Sequence, residues 1–487
     1  MTSDERTDIY QSPTDNWQAL RVSLLSLGCK VNQTETEGLA ELFREAGYDI
    51  VEPPAQPRVW VINTCAVTAA AEGKSRRLIR RIVRDHPESV VAVMGCFSQM
   101  AAEEVRALGA HVVVGTRERR SLPVYVEKYL ADMAIAARFS GAAADEVKTA
   151  AGDKMMVEGG TVAGAADAAG ETSNPDIFEE LPRLNREKRV RATVKVQDGC
   201  DHGCSYCLVP NLRGPSRSRQ PARVLEEVRS LVRNGYKEIV LTGIHLGCYG
   251  RDLGQTLAGL IERVADVPGL ARLRLSSLES VEIVGAGAAA AGGATAAGGG
   301  LLDVLAAHRD IVCPHFHIPL QSGSDRILAR MGRPYSRADY LEVLRAVRRC
   351  FPDAAVTTDI MAGFPGETNE DAKETLEMIA VCAFADVHAF GFSPRPGTPA
   401  AAMSGQVGPK VKAARVKALI EAGRKSRAGY LERFFGQRME VLLEHVDGSG
   451  ARGHTRNYIA VSVPAQACLD SWRSGDLVEV ILQEHYV

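Results

Sequence analysis

The sequence predicts an α/β protein of several domains: an N-terminal open parallel βαβ sheet domain, a central partial (βα)6 barrel and a small C-terminal all-β barrel. Three observations carry this. At 487 residues the chain is too long for one core, and at about 150 residues per domain it implies two to four. Short apolar β runs alternate with helix-period stretches in two long series, the pattern of parallel strands joined by right-handed crossovers. Low-complexity sequence from Ala131 to Pro175 and from Val284 to Gly300 separates or interrupts these series.

In the first series Val22–Leu27, Val59–Asn63, Val90–Met94 and His111–Val114 read as strands, with helices over Thr34–Ala46, Ala70–Arg84 and Gln99–Leu108. The stretch from Ala131 to Pro175 is rich in Ala, Gly, Asp, Glu and Thr and offers few large side chains to bury, so it reads as a linker or insertion. The second series has strands at Thr193–Val196, Glu238–Thr242, Arg272–Ser276, His315–Leu320, Ala355–Met361 and Val387–Phe392. Its helices fall at Ala222–Asn234, Leu257–Asp266, Tyr335–Arg349 and Glu370–Cys382. The run VGAGAAAAGGATAAGGG reads as a surface insertion within it. A basic helix from Lys410 to Leu431 leads into three β runs, Met439–Leu443, Tyr458–Val463 and Leu477–Leu482. The expected domains are 20–130, 186–426 with the insertion at 284–300, and 427–487, with 131–182 as linker.

Composition excludes disordered and fibrous classes, with 45% hydrophobic and 24% charged residues. Lys and Arg number 58 against 60 Asp and Glu, a net charge of -2, so any nucleic-acid surface must be local. The N-terminal residues lack the basic start and apolar core of a signal peptide, and no apolar run reaches the ~18 residues of a spanning helix. Eleven cysteines then fit a reduced cytoplasmic setting in which thiols bind metals or pack in cores.

Six of those cysteines carry the chemistry. Cys200, Cys204 and Cys207 form C-x3-C-x2-C directly after the first barrel strand. Three such thiolates can hold three irons of a four-iron cluster and leave the fourth open to a non-protein ligand. A zinc knuckle would instead want a fourth ligand and paired C-x2-C spacing. Cys29, Cys65 and Cys96 each stand just past an apolar strand, where open α/β sheets gather ligands, and are expected to converge as a second iron–sulfur site. Cys248, Cys313, Cys350, Cys382 and Cys468 have no partner at ligand spacing and read as buried or bystander residues.

The C-x3-C-x2-C motif at the head of a (βα)6 series resembles the radical S-adenosylmethionine enzymes. The upstream cysteine trio resembles the methylthiotransferases among them, and the closing β module resembles their TRAM RNA-binding domain. The likeness spans nearly the whole chain apart from the low-complexity segments. LGCKVNQTE from Leu27, INTCAVT from Ile62, QDGCDHGCSYC from Gln197 and RGPSRSR from Arg213 resemble the branch that modifies N6-threonylcarbamoyladenosine at position 37 of tRNA.

That resemblance implies two 4Fe-4S clusters and S-adenosylmethionine as cofactors. The cluster on Cys200, Cys204 and Cys207 would bind S-adenosylmethionine as radical source, and the one on Cys29, Cys65 and Cys96 would carry the sulfur. It implies no catalytic side chain beyond the cluster ligands. It also implies cofactor contacts from Tyr206, from Thr242 and Gly243, from Ser276 and Glu279, from Gln321, and from Gly363 and Gly366 of DIMAGFPGET. The implied partners are a tRNA anticodon stem-loop, an electron donor and a sulfur source, the last two marked by no motif.

Charge segregation supports RNA. Ten Lys/Arg against three Asp/Glu lie between Arg183 and Arg223, and nine against two between Ser404 and Arg438. Lys74, Arg76, Arg77, Arg80, Arg81 and Arg84 form a third basic stretch. Other readings stay open at this point: action on N6-isopentenyladenosine, action on an aspartate of a ribosomal protein, or an iron–sulfur RNA-binding regulator without turnover.

Overall fold

The computed structural model describes residues 21–140, 177–182, 190–283 and 300–487, so nearly all of the glycine–alanine insertion and most of the expected linker lie outside it. The chain divides into two compact units; among the described residues the first holds 21–140 and 181–182, the second 177–180, 190–283 and 300–487.

The first unit is a five-stranded parallel sheet in the order β2-β1-β3-β4-β5. Its strands are β1 (Arg21–Ser26), β2 (Asp49–Ile50), β3 (Val59–Thr64), β4 (Val90–Gly95) and β5 (Val112–Val113). Every residue of β3 and β4 is buried, which is why both read as unbroken apolar runs: helices cover both faces of a parallel sheet. The helices are α1 (Lys30–Glu45), α2 (Ala69–Asp85), α3 (Cys96–Met100), α4 (Ala102–Ala107) and α5 (Leu122–Ser140). Two differ from expectation. The helix expected over Gln99–Leu108 is broken at Ala101, whose φ of -144° is extended, so α3 begins at Cys96 itself. Helix α5 runs ten residues into the stretch read as linker, because Ala-rich sequence propagates a helix even where it lacks a broad apolar face.

In the second unit all six expected parallel strands form: β6 (Arg191–Asp198), β8 (Glu238–Gly243), β9 (Arg272–Leu275), β10 (His315–His317), β11 (Ala355–Ala362) and β12 (Asp386–Gly391). A parallel bridge from Leu273 to Val312 links their two ladders into one curved sheet. A short antiparallel strand, β7 (Arg217–Ser218), pairs with the end of β6 and was not foreseen. Strand β10 is half its expected length, since the chain leaves the ladder after His317 and returns only at Gln321, opposite Ile360.

Alternation sorts the side chains of this sheet. Val194, Val196, Ile239, Leu241, Phe316, Val356, Ile360 and Val387 pack under the outer helices. Their neighbours, among them Glu238, Arg272, Arg274, His317, Thr357, Asp359 and His388, face the barrel lumen.

Helix Pro409–Glu432 leads into a four-stranded antiparallel sheet ordered β15-β14-β13-β16, from β13 (Arg438–Asp447), β14 (Gly450–Thr455), β15 (Ala460–Pro464) and β16 (Leu477–Ile481). Only three strands were expected. The sequence of β14, GARGHT, has no apolar alternation and is held by its pairing with strands on both sides. Tyr458, expected in a strand, sits in the turn before β15 with φ of 68°.

This module closes the N-terminal mouth of the barrel. Arg272 donates to the His454 carbonyl (3.1 Å), and Arg274 donates to the Arg456 carbonyl (3.0 Å). The Arg274 guanidinium lies 4.7 Å from the Tyr458 ring centre and also pairs with buried Glu238 (2.7 Å). Breaking a buried pair costs about 3 kcal/mol, lessened here because Arg272 stays 3.6 Å from Glu238. Arg274→Met should therefore lower the thermal midpoint by several degrees, while Arg438→Met, at an exposed ion pair, should leave it unchanged; calorimetry of the two variants checks this.

Candidate active site

The C-x3-C-x2-C loop leaves the C-terminal end of β6 and is fixed by one buried carboxylate. Asp198 accepts from Lys195 Nζ (2.7 Å), from Arg213 (2.9 Å) and from the Gly199 backbone N–H (2.8 Å). Gln197 Nε2 donates to the Gly199 carbonyl (2.7 Å), and the Cys200 N–H donates to the Gly214 carbonyl (3.1 Å). Gly199 has φ of 75°, and a Cβ there would lie 1.9 Å from the Pro215 carbonyl oxygen, so only glycine fits.

The thiols of this loop face hydrogen-bond donors. The His202 N–H points at Cys200 Sγ (3.4 Å), the Val209 N–H at Cys207 Sγ (3.4 Å) and the Arg333 guanidinium at Cys204 Sγ (3.3 Å). Burial pushes the Cys207 thiol up to about 12, and the nearby Cys204 and Cys200 add to that. Such a thiol gives up its proton to a cation placed against it. Tyr206 is half-buried beside this trio, edge-on to Phe364 at 6.4 Å, packed against a small apolar cluster that includes Ile327, Met331 and Met361. Burial holds its phenol well above the usual range.

The other expected contact residues lie at the C-terminal rim. Thr242 and Gly243 end β8, and Gly243 abuts Gln197, whose Oε1 accepts from the His245 N–H (2.8 Å). Glu279 pairs with Arg333, and burial raises its carboxyl above the ordinary value despite that cation. Gln321 holds φ of 64°, strained for a residue with a Cβ. Its Oε1, like Ser276 Oγ, is buried with no hydrogen-bond partner among the described residues. Gly363 and Gly366 adopt positive φ, but the space a Cβ would take is filled by Lys412 and Arg330 rather than left open. Their backbone freedom therefore serves the turn.

Sequence reasoning missed part of this site. Cys248, read as a bystander, lies 3.2 Å from His245 Nδ1, which also lies 3.5 Å from Cys200 Sγ; His245 Nε2 faces Glu282 at 2.8 Å. The His245 and Cys248 spacing of one helical turn was the available signal.

In the first unit the three cysteines follow adjacent strands. Ser26 pairs with Asn63 and Thr64 with Gly95, so Cys29, Cys65 and Cys96 leave one edge of the sheet side by side. A Cβ on Gly28 would lie 3.0 Å from Cys65 Sγ. Asn32 donates to the Leu27 and Thr64 carbonyls (2.8 and 3.1 Å), Asn63 donates to the Asn32 carbonyl (3.0 Å), and Thr64 Oγ1 donates to the Met94 carbonyl. Ser75 of α2 donates to the Cys65 carbonyl (3.1 Å). Beneath them Arg119 and Glu35 form a buried pair at 3.0 Å.

The three basic stretches diverge in structure. Arg213, Arg217 and Arg219 are buried, with Arg213 on Asp198 and Arg219 on Glu180 and Glu227, so most of the described part of the first stretch builds the loop rather than a surface. In the second, Arg415 pairs with Glu367 and Lys412 donates to the Phe392 carbonyl, while Lys410, Lys417 and Lys425 are exposed. In the third, Lys74, Arg77, Arg80, Arg81 and Arg84 all lie exposed along α2, opposite its buried residues Ser75, Ile79 and Ile82.

Residues 194–379 match the Radical SAM superfamily model, and residues 21–115 match the model described as uncharacterized protein family UPF0004. A Bacillus subtilis protein, threonylcarbamoyladenosine tRNA methylthiotransferase MtaB, is 34% identical over 448 residues, covering 90% of this chain and 89% of its own length. The chain belongs to the radical S-adenosylmethionine methylthiotransferases. A Thermotoga maritima relative with the same name is 35% identical, covering 87% of this methylthiotransferase and 86% of its own length. A tRNA-2-methylthio-N(6)-dimethylallyladenosine synthase from Pelotomaculum thermopropionicum is 34% identical, with 86% of both chains covered. Among solved structures, the radical S-adenosylmethionine methyltransferase TsrM from Kitasatospora setae shares the fold, with a TM-score of 0.50 at 16% identity, covering 78% of this chain and 75% of its own.

Methylthiotransferases of this family use S-adenosylmethionine and two 4Fe-4S clusters. The residues present fit both. The barrel trio follows the C-terminal end of β6 on one loop and the other trio follows β1, β3 and β4, and the rim beside the barrel trio holds two buried polar atoms, on Gln321 and Ser276, for a polar ligand to satisfy. Gly199→Ala and Gly28→Ala should each misplace one trio, so each variant should reconstitute with about half the iron of the unsubstituted chain. Iron assay and the ultraviolet–visible spectrum check this, and full loading of either variant would contradict the placement.

Proposed function

We propose that this methylthiotransferase adds a methylthio group to C2 of N6-threonylcarbamoyladenosine at position 37 of tRNA, in the anticodon loop, in the cytoplasm. The observation that carries this reading is the presence of two cysteine trios, on two separate parallel sheets, in one chain. A single trio would serve radical generation alone; the second supplies a place for sulfur. The threonylcarbamoyl substrate is supported by the Bacillus subtilis and Thermotoga maritima relatives, which carry that substrate in their names.

When bound, the cofactors supply a 5′-deoxyadenosyl radical at Cys200, Cys204 and Cys207, and the inserted sulfur and methyl group at Cys29, Cys65 and Cys96. The protein's own residues bind, orient and keep water out. Asp198, Gly199 and Gln197 set the loop geometry, and Tyr206 with Phe364 walls the barrel trio from solvent. Gln321 and Ser276 offer their buried oxygens to the cofactor, Thr242 and Gly243 shape the strand end beside it, and Glu279 with Arg333 fixes the opposite wall. The exposed cations of α2 track phosphates and position the RNA, while an unstacked loop base enters the barrel. A second reading, action on isopentenyladenosine, is favoured by the equally similar Pelotomaculum relative.

Nucleoside mass spectrometry of tRNA from cells with and without the gene decides between these substrates. Loss of only the 2-methylthio form of threonylcarbamoyladenosine is the expected result; loss of the isopentenyl form moves the substrate, and no loss of either overturns the reading. Cys204→Ala should abolish 5′-deoxyadenosine formation. Cys65→Ala should retain part of it and yield no methylthio product.

The salt dependence of tRNA binding tests the basic helix. Each phosphate contact contributes about 0.7 to 0.9 to the slope of log K against log salt, so K74Q/R77Q/R81Q should reduce that slope by about 2 to 3. An unchanged slope would place the phosphate contacts elsewhere.

A further inference from the structure

Inside the barrel, three polar side chains from adjacent strands converge without a part in the reactions described above. His317 of β10 lies with Nε2 3.4 Å from Asp359, and His388 of β12 lies with Nδ1 3.2 Å from the same carboxylate on β11. His317 Nδ1 is 2.9 Å from Thr357 Oγ1, and the two imidazoles stack at 5.6 Å. All four project from the lumen face, since Phe316, Val356, Ile360 and Val387 between them pack under the outer helices.

Depth places this cluster relative to the thiols. Asp359 precedes Met361 by two residues, and Met361 packs with Tyr206 between Cys204 and Cys207. Two strand residues advance about 6.6 Å. The polar cluster therefore lies one pleat below Met361, toward the N-terminal ends of the strands.

We propose that His317, Asp359 and His388 form the subsite that reads the N6 substituent and selects threonylcarbamoyl- over isopentenyladenosine. This rests on the reading that C2 of the adenine is the point of reaction. C2 and the N6-bearing carbon flank N1 on one edge of adenine, so a base that offers C2 to the barrel trio carries its N6 substituent alongside. A threonylcarbamoyl group brings a carboxylate, a hydroxyl, a carbonyl and N–H groups; an isopentenyl group brings only carbon. The cluster offers both kinds of partner, a carboxylate to accept and imidazoles to donate.

Exposure argues that the cluster is built for a ligand. The His388 side chain is 59% exposed and that of Asp359 32%, although the flanking Val387, Thr358 and Ile360 are buried. The hydrogen bond to Asp359 raises the His388 imidazole above its ordinary value, which favours the protonated form opposite the ligand's carboxylate. Asp359 itself is held well below the carboxylate range, because hydrogen bonds from the two histidines outweigh its burial. An alkyl substituent would take water from these groups and return no hydrogen bond, which is how polar sites reject apolar analogues by large factors.

The test uses the cluster-loaded full chain and three anticodon stem-loops, alike except for threonylcarbamoyladenosine, its methyl ester or isopentenyladenosine at the target base. The unsubstituted protein should prefer the acid over the isopentenyl form by a factor on the order of 100 in kcat/KM, and over the ester by about tenfold. His388→Phe should shrink both preferences to a few-fold, mainly through KM for the acid. His388→Gln, which keeps a donor, should restore part of them. Iron content equal to that of the unsubstituted chain shows that each variant is folded and loaded.

Full retention of both preferences in His388→Phe and His317→Phe overturns the subsite while leaving the substrate assignment intact. A preference of the unsubstituted protein for the isopentenyl stem-loop instead overturns the substrate assignment itself. The three groups also lie within metal-ligand reach of one another. Stoichiometric uptake of Zn2+ or Mn2+ by the loaded chain, lost in His317→Phe, would make this a metal site and likewise overturn the proposal.

Discussion

Three thiols cannot share one small volume unless the backbone that carries them is held against their mutual repulsion and desolvation. In the barrel that restraint comes from Asp198, a buried carboxylate met by Lys195, Arg213 and the Gly199 N–H. A lone buried anion would be costly; here three cations, Arg217 at 3.8 Å being the third, and a backbone donor compensate it. The same bonds set the direction in which the chain leaves β6, and hence where Cys200, Cys204 and Cys207 stand. Arg213 and Lys195 therefore belong to the chemistry although neither touches a reacting atom.

The N-terminal unit solves the same problem with neutral groups. Parallel pairing of β1, β3 and β4 delivers Cys29, Cys65 and Cys96 to one sheet edge, and the amides of Asn32 and Asn63 tie the strand ends together. Only a residue without a side chain fits between Cys65 and the turn at Gly28. Two unrelated devices, an ion-pair network and an amide ladder, each fix the backbone from which three cysteines project.

What could be read in the sequence was whatever depends on spacing or unbroken pattern. The C-x3-C-x2-C run, the cysteines at strand ends and the buried strands VWVINT and VVAVMG fall in that class, and the structure places them as expected. Features decided by tertiary pairing were illegible. Strand β14 owes its existence to its neighbours, and Ala101 breaks a helix that periodicity would continue. Arg213, Arg217 and Arg219 looked like an RNA surface because composition cannot show that acidic partners bury them. The convergence of His317, Asp359 and His388 needs three strands in register, which no local motif announces.

The C-terminal module sits on Arg272 and Arg274 at the start of the strands, at the end of the barrel away from the cysteine trio. Whatever moves along the barrel axis must then come and go by the rim where that trio stands. Cofactor and nucleotide would share this one axial approach, so the order in which they arrive becomes a property of the architecture. The plug at the bottom thus sets a rule of precedence at the top.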